Sequence, residues 1–538
     1  MRRVYVSLVS LAVVSGQSQA DLEVFPTLTT GIVVQNAKPQ EQDARSVESI
    51  TIDPSLTINY QTADFSGSWT MSHMHLIRDA DGDSFKDDFS TYDYQASFKL
   101  IDGLLAVNAR GALDLRNLTP GDYLITDRFF NPEALSKTRT NNVSLDLNAD
   151  QLDYIVVEGS LSYSDVDSEE QALSTSNLAG TTYSATSVLS QGDAFDSAFF
   201  TIKTEYSQTE NDGNSLISSS RKSDQTSRNI DGIFNHRLYG DIGLVLRGSD
   251  EGLKFDGAIN IDTRRNFNSY GAGLSYSPSN NRYIALTVNQ GNRDDEDETY
   301  LGANIRWAFS GRTRLTANIG RRYYGDSGSF SFDYNTKTLR ASVRYSEQAT
   351  NFSRLIANSE ALGSFVCPPN SIDISTCYQP SSLNPTLEPG EQLVEFSDNV
   401  IEVSDEPILI KSTNAVIGYS KTRFSGALEF RYSNPFYEDS GREQVTYTTN
   451  LNLGYQLGSK TQLQAQFTYI ESNNKRGTDG IGQNFDDTIY RATGTVRYQL
   501  ARNWTAETEL RFMDRDSNTP DRVVSDRRIT FNLEYRFK

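Results

Sequence analysis

The chain ends in RITFNLEYRFK (residues 528–538), a stretch that alternates strictly between apolar and polar side chains. The apolar set is Ile529, Phe531, Leu533, Tyr535 and Phe537. A period of two residues is that of a β-strand, because successive side chains of a strand point to opposite faces of the sheet. This stretch therefore predicts a strand with one apolar face and one water-facing side.

The same alternation returns in many earlier segments, for example at 460–470, 490–499 and 504–512. Tight polar turns and longer Gly/Asn/Asp-rich segments alternate between them. Short turns at one end and long loops at the other are typical of bacterial outer-membrane barrels, with the short turns in the periplasm. We therefore predict an all-β fold, a single closed antiparallel transmembrane β-barrel of about 24 strands (range about 22–26). The pattern falters at 181–191 and 225–248.

Composition agrees with a barrel and excludes other classes. The chain has 28 Tyr and 27 Phe, yet its mean hydropathy is −0.52. No long apolar run follows the N-terminus, which excludes a helical membrane protein. The formal net charge of −20 argues against nucleic acid, which selects basic surfaces.

The N-terminal residues 1–20 have the features of a secretory signal peptide: basic Arg2 and Arg3, an apolar run at 4–14, and Ser18-Gln19-Ala20 as a cleavage site. The predicted domain organisation is thus a signal peptide followed by a barrel at 21–538. Residues 347–412 contain several prolines and both cysteines, and we predict that they form one long external loop. The sequence leaves open whether this loop caps the lumen or plugs it.

The polar faces of the strands should line the lumen, because a charge facing lipid near the midplane costs a few kcal/mol. The basic residues predicted to face inward are Arg312, Arg314, Arg322, Arg340, Arg344, Arg491, Arg497, Arg511, Arg528 and Arg536. The acidic residues predicted to face inward are Glu429, Glu507, Glu509 and Glu534. Two interpretations stay open: paired charges that hold the wall together, or a basic track for an acidic or hydroxylated solute.

Metal binding has weaker support in the sequence. His73 and His75 are two residues apart on a predicted strand, but a zinc site needs further ligands. The acidic stretch containing Asp79, Asp81, Asp83 and Asp87 resembles a calcium loop, although its glycine is at the wrong position for an EF-hand. We expect no other cofactor and no catalytic residues, so the protein should not be an enzyme.

Several segments share a common form: an aromatic residue, a polar residue, Leu and a small turn, followed by an alternating strand. Examples are GYQLGSKTQL (454–463) and YQLARNWTA (498–506), and the charged loop RFMDRDSN (511–518) follows the second. Together with the ending LEYRF (533–537), this resembles the outer-membrane barrels encoded beside exosortase (PEP-CTERM) and exopolysaccharide loci, which belong to a wider group of β-barrel porins. The resemblance extends over the whole chain after residue 20.

This resemblance implies an outer-membrane channel in a Gram-negative bacterium that is associated with export of an exopolysaccharide. Its expected partners are outer-membrane lipid and lipopolysaccharide, a polysaccharide and the periplasmic export machinery, without nucleic acid. A porin for passive uptake of small solutes is the first alternative. A surface structural protein or a barrel enzyme is the second. A wide barrel favours export of a polymer, and an inward-folded loop favours a porin.

A disulfide between Cys367 and Cys377 is predicted, because both cysteines fall in the predicted external loop of an exported chain. Mass spectrometry of the unreduced protein should show the two cysteine-containing peptides linked. Two thiols that react with an alkylating reagent in the purified, unreduced protein would contradict the prediction.

Overall fold

The structure is a computed structural model. It describes residues 21–39, 45–80, 83–117, 129, 135–150, 152–169, 179–195, 198–211, 223–256, 262–279, 281–293, 296–350, 364–367, 392–395, 408–438, 441–475 and 484–537. The predicted signal peptide and Cys377 lie outside these ranges. Within them, no helix is long and apolar enough to cross a membrane.

The described residues form 26 strands. The first half of the chain contains β1 (Asp21–Pro39), β2 (Arg45–Gln61), β3 (Phe65–Ala80), β4 (Asp83–Ile101), β5 (Leu105–Asn117), β6 (Leu135–Ala149), β7 (Ile155–Ser168), β8 (Ala179–Gln191), β9 (Ala198–Asn211), β10 (Ser223–Tyr239), β11 (Ile242–Asp256), β12 (Asp262–Ser279) and β13 (Arg282–Arg293). The second half contains β14 (Glu296–Ser310), β15 (Thr313–Arg322), β16 (Gly325–Asn335), β17 (Leu339–Thr350), β18 (Ser364–Cys367), β19 (Gln392–Glu395), β20 (Ile408–Lys421), β21 (Phe424–Tyr437), β22 (Arg442–Gln456), β23 (Thr461–Lys475), β24 (Phe485–Ala501), β25 (Trp504–Ser517) and β26 (Val524–Arg536). A short 3-10 turn, Pro520–Arg522, precedes the last strand.

Twenty-four of these strands form one antiparallel sheet in which sequence neighbours pair. The first strand, β1, pairs with the last, β26, and this pairing closes the sheet into a barrel. The predicted fold is therefore confirmed, and the two regions of weak alternation contain β8, β10 and β11.

The long loop differs in extent from the prediction. The strand β17 pairs with β20 as far as Thr350 opposite Ile408, so the segment between these two barrel strands is 351–407 rather than 347–412. The small strands β18 and β19 pair with each other in a separate two-stranded sheet. The ends of the predicted loop thus belong to the barrel wall.

The outer surface carries two belts of aromatic side chains. At the end with short turns, Trp504 and Tyr535 lie 4.7 Å apart between ring centroids. Toward the other end, Tyr469 and Tyr490 lie 5.2 Å apart. On β24 the outward residues Tyr490 and Tyr498 are eight positions apart, or roughly 26 Å along the strand. Because the strands of such barrels are tilted by about 35–45°, this is roughly 20 Å along the membrane normal, close to the height of their apolar band, which is roughly 25 Å.

The faces of each strand follow from this band. On β26, Ile529 and Phe531 are about half exposed on the outside, whereas Asp526 and Arg528 on the other face are buried. The same outward and inward faces continue on β25, because the register places Leu510 opposite Ile529 and Arg511 opposite Arg528. The inward faces of the C-terminal strands are thus polar around Arg511 and Arg528 and toward the short-turn end, as the alternation predicts.

The two ends of the barrel differ in their connections. At one end the strands join through short turns, such as Gly240–Asp241, where Gly240 has φ = 55°. A side chain at this φ would be strained, so glycine suits the turn. We call this end the short-turn end, and the opposite one, which includes 118–134 and 351–407, the long-loop end.

Gly273 is required for the pairing of β12 with β13. A Cβ atom at this position would lie 1.8 Å from the backbone oxygen of Leu286, and a backbone atom in the ladder cannot move aside cheaply. The Gly273→Ala variant should therefore lose about 1–3 kcal/mol of unfolding free energy, measured by urea unfolding of the refolded barrel in detergent.

Gly494→Ala is the matched control, since a Cβ at Gly494 meets no atom within 4 Å. It should change the unfolding free energy by less than about 0.5 kcal/mol. Equal losses in the two variants would contradict this account of Gly273.

Candidate functional site

Three inward arginines on the last strands form the centre of the candidate site: Arg491 on β24, Arg511 on β25 and Arg528 on β26. We call them the arginine wall. Arg511 and Arg528 are direct cross-strand partners, and Arg491 opposes Met513, which is two residues from Arg511 on the same face of β25. Like charges placed directly opposite each other repel. The arginine wall therefore needs a counter-charge.

Asp526 supplies this charge. Its side chain is fully buried, 4.0 Å from Arg511 Nε and 3.4 Å from Arg528 Nη2. Gln35 of β1 donates a hydrogen bond from Nε2 to Asp526 Oδ1 at 2.8 Å. One carboxylate thus lies between two guanidinium groups, and its contact with Gln35 ties the arginine wall to the closing strand pair.

A residue from the segment between β5 and β6 reaches the arginine wall from across the lumen. The ring centroid of Phe129 lies 4.9 Å from Arg528 Cζ, within the range of a cation–π contact. Phe129 also packs against a buried apolar cluster of Leu76, Phe89 and Leu115. Phe129 therefore links the wall of β3–β5 with Arg528 of β26.

A second shared carboxylate lies nearer the long-loop end. Asp487 of β24 is fully buried and accepts from Arg515 Nη2 at 2.5 Å and from Arg522 Nη2 at 2.7 Å. Arg522 Cζ also lies 3.9 Å from the ring centroid of Phe485. Between this cluster and the arginine wall lies a buried apolar layer, which consists of Ile470, Ile489, Met513 and Val524.

Toward the short-turn end the inward charges pair one to one. Arg497 bonds Glu507 at 2.8 Å, and Arg536 bonds Glu534 at 2.6 Å. Glu509 faces inward between these pairs and the arginine wall, since it opposes Thr530 of β26. These partly exposed pairs are worth little in stability, at most about 1 kcal/mol each.

The other predicted inward residues lie elsewhere on the wall. On β15 and β17, Arg322 bonds Glu251 of β11 at 2.8 Å, and Arg344 lies 3.8 Å from Asp333. Glu429 of β21 is buried and bonds Arg431 at 3.0 Å.

Arg314 of β15 and Arg340 of β17 face inward near the short-turn end, and Arg312 lies in the turn before β15. The structure therefore does not join the predicted arginines into one track. It brings together those of β24–β26 and separates them from those of β15 and β17.

Inward carboxylates line a different part of the lumen. Asp53 of β2 accepts from Ser72 at 2.6 Å, and Asp146 of β6 accepts from Asn108 and Ser160, each at 2.5 Å. These groups are held by neutral donors rather than by arginines. These two aspartates thus differ from Asp526 and Asp487, which contact arginines.

The two predicted metal sites are placed as follows. His73 and His75 face outward on β3, where they contact Ser90 and Asp88 respectively. Among the described side chains, no three or more of His, Cys, Asp or Glu converge as a metal site.

Of the predicted calcium ligands, Asp87 faces inward and bonds Arg78 at 2.9 Å, whereas the register places Asp79 on the outward face. Asp81 and the side chain of Asp83 lie outside the described part of the chain. The calcium hypothesis therefore stays a prediction that rests on those two residues.

Sequence reasoning missed the two buried carboxylates, Asp526 and Asp487. The inward position of Asp526 could have been predicted, because this residue is two positions before Arg528 and therefore on the same face of β26. The role of Phe129 could not be predicted, since nothing in the sequence indicates that it contacts Arg528.

The fold and this lumen define a class of protein. A closed antiparallel barrel with two aromatic belts, an apolar outer band and a charged lumen is a porin-like barrel of the Gram-negative outer membrane. Its location is therefore the outer membrane.

Comparison with known families agrees with this class. Residues 369–537 match the family model of the oligogalacturonate-specific porin protein, KdgM. The matched part is less than half of the chain and contains β20–β26, including the arginine wall. No curated protein matches.

Solved structures of similar form include outer-membrane receptors. The siderophore receptor PirA from Acinetobacter baumannii has a TM-score of 0.43 and 10% identity, covering 95% of this chain and 80% of that chain. An FrpB iron transporter from Neisseria meningitidis (F5-1 variant) has a TM-score of 0.46 and 8% identity, covering 96% and 83%. With TM-scores below 0.5, both are distant in structure from this chain.

Asp526→Asn should destabilise the barrel, because it leaves two inward arginines without their shared counter-charge. Removal of one partner from a buried ion pair typically costs about 3–5 kcal/mol. Urea unfolding in detergent should show a loss of this order.

The matched control is Asp514→Asn. Asp514 pairs with Arg527 at 3.0 Å, but both side chains are about half exposed. This variant should lose about 1 kcal/mol or less. A loss for Asp526→Asn as small as for the control would show that Asp526 is not the counter-charge of the arginine wall.

Proposed function

We propose that the protein is a non-enzymatic channel that passes acidic oligosaccharides across the outer membrane. The observation that carries the proposal is the arginine wall: three inward guanidinium groups, Arg491, Arg511 and Arg528, close to one buried carboxylate. Each guanidinium has five donors and stays charged at any working pH. Carboxylates and hydroxyls of a solute are good acceptors for these groups, and we expect them to exchange with the partners that the arginines have within the wall.

The family match supports the acidic sugar as solute. Its printed description refers to oligogalacturonate, a chain of sugar acids, and the matched residues 369–537 include the whole arginine wall. Carboxylates and sugar hydroxyls are both good acceptors for arginine, and carboxylates bind bidentately. A linear acidic sugar could exchange its contacts along the inward arginines from the arginine wall toward the short-turn end.

The contact between Phe129 and Arg528 supports controlled passage rather than an open pore. Phe129 lies over Arg528 and covers part of the arginine wall from the lumen side. This contact favours the porin alternative, in which a narrowed lumen selects small solutes.

Export of an exopolysaccharide is the second candidate, and the barrel width favours it. Barrels with 16–18 strands already leave an aqueous channel, and this sheet has 24 strands. In this candidate the permeant is a polysaccharide, and neither candidate requires a cofactor or a chemical step.

The combined variant Arg491→Gln and Arg511→Gln tests the proposal. It removes two charges and keeps the pair between Arg528 and Asp526. An exposed charge contributes roughly 1 kcal/mol to an anion at 4 Å in water, so the permeability of galacturonate relative to potassium should fall roughly fivefold or more. Reversal potentials of single channels in planar bilayers, under a gradient of potassium galacturonate, measure this ratio.

Arg527→Gln is the matched control, because Arg527 lies on the outward face of β26 next to Arg528. Its permeability ratio should equal that of the wild type. Unchanged selectivity in a correctly folded double variant would mean that the arginine wall is structural and that the proposed function is wrong.

A further inference from the structure

The turns of the short-turn end carry opposite charges on the two halves of the barrel. Consecutive strands of the barrel pair with each other, so consecutive turns lie side by side around the rim. The five turns from β2–β3 to β10–β11 contain aspartates and no basic residue: Asp64, Asp102, Asp150, Asp153, Asp193, Asp196 and Asp241. The five turns from β14–β15 to β24–β25 each contain one basic residue and no acidic residue: Arg312, Lys337, Arg423, Lys460 and Arg502. We call these two sets the acidic arc and the basic arc; the β12–β13 turn between them is uncharged.

The charges of both arcs point into solvent. Every one of them that the structure describes, which is all except Asp196, is exposed. Within the described residues, only Asp102 has an ion-pair partner, which is Lys99 at 3.7 Å. The inward charges just above the rim are paired instead, as in the contact of Arg497 with Glu507 at 2.8 Å. The rim charges can therefore meet a partner outside the lumen.

The long-loop end shows what charges do when they hold the wall together. There the turn Tyr323–Tyr324 joins β15 to β16, and Tyr323 is only 6% exposed. Its backbone N–H donates to Glu251 of β11 at 3.3 Å, and its phenol donates to Glu438, which follows β21, at 3.4 Å. Arg322 bonds the same Glu251 at 2.8 Å. Contacts of this kind within the barrel do not occupy the described charges of the two arcs, apart from that of Asp102.

Segregation of the two signs does not help the barrel to fold. Neighbouring turns are two strands apart, or roughly 10 Å, which is close to the Debye length of about 8 Å at physiological ionic strength. Like charges within one arc therefore repel each other weakly, and a rim with both signs interspersed would avoid this repulsion. Complementary potentials orient a partner and speed its association. The separated arcs thus suit a role in recognition.

The surroundings of the rim indicate the kind of partner. Short turns of outer-membrane barrels face the periplasm. Lipid headgroups and cell-wall polymer have the same composition all around the rim, so neither matches a rim that is acidic on one half and basic on the other. A folded protein can present both signs on one surface. The 24 strands give a round barrel a diameter of at least roughly 35 Å, and a small domain measures about 30 Å, so one domain can contact both arcs.

We propose that the short-turn rim is a docking surface for one periplasmic protein domain. Its basic surface lies against the acidic arc, and its acidic surface lies against the basic arc. The two contacts together fix how the domain is rotated above the lumen, because a half turn would bring like charges together. This inference does not depend on the identity of the permeant, since none of the rim charges belongs to the arginine wall.

Photocrosslinking in the cells that produce the protein can test the docking surface. The probe, p-benzoylphenylalanine, replaces Leu152 in the acidic arc or Leu457 in the basic arc, because both side chains are more than half exposed and carry no charge. Mass spectrometry of the crosslinked product should identify the same periplasmic protein from both positions.

Charge variants of the opposite arc show whether one domain spans the rim. Crosslinking at Leu152 is measured in a variant with a neutralised basic arc, which carries Lys337→Gln, Arg423→Gln and Lys460→Gln. Crosslinking at Leu457 is measured with Asp64→Asn, Asp150→Asn and Asp241→Asn. Each yield should fall roughly fivefold or more, because loss of complementary charges slows association. If a triple variant does not fold, Lys460→Gln or Asp150→Asn alone must still lower the yield at the opposite arc.

The matched control removes three positive charges at the long-loop end through Arg139→Gln, Arg228→Gln and Lys475→Gln. These side chains are at least half exposed, and their loss should leave both yields unchanged. Crosslinks to lipid or cell-wall polymer alone would overturn the proposal. So would two different proteins at the two positions, or yields that do not change in folded triple variants. Each of these outcomes leaves the ion selectivity of the channel, and with it the proposed function, as a separate question.

Discussion

The pairing of β1 with β26 is the constraint on which the rest of the structure depends. Hydrocarbon offers no hydrogen-bond partners, so an open sheet would leave two edges of unpaired N–H and C=O groups, each costing several kcal/mol. Closure from Thr27 opposite Arg536 to Pro39 opposite Val524 removes both edges. Once the sheet is closed, every strand has one face toward lipid and one toward the lumen, and the polar residues have only the lumen left to face.

This division of faces concentrates charge inside the barrel, and the structure resolves the crowding in two ways. Near the short-turn end, arginines and glutamates pair one to one. Nearer the long-loop end, Asp526 and Asp487 each contact two arginines. A shared carboxylate is enough to keep neighbouring guanidinium groups from repelling each other. The proposed function assigns the arginines beside Asp526 a second role, as donors to the oxygens of a solute.

The sequence was sufficient to predict what depends on strand alternation. Closure, the number of strands and the inward face of Arg491, Arg511 and Arg528 all follow from a period of two, which is a local property. Contacts across the lumen are not local. The contact of Phe129 with Arg528 and the reach of Tyr323 to Glu438 join residues far apart in the chain, and no periodic pattern encodes them. The turn at Gly240 is hard to recognise from the sequence for another reason. The alternation of the strands on both sides of it is weak, so no clear change of pattern marks the turn.

The turn formed by Tyr323 and Tyr324 differs from a flexible lid. The pair of Arg322 and Gly325 is the last rung of the ladder between β15 and β16, so the turn continues the wall itself. Hydrogen bonds of the strand ladder hold such a turn in place, so an opening that it bounds has a fixed width. The ligand has to fit this width. A linear chain can enter lengthwise, one unit at a time, whereas a branched chain of equal mass presents a larger cross-section at every branch. Under the proposed function, an opening of this kind selects permeants by their shape as well as by their charge.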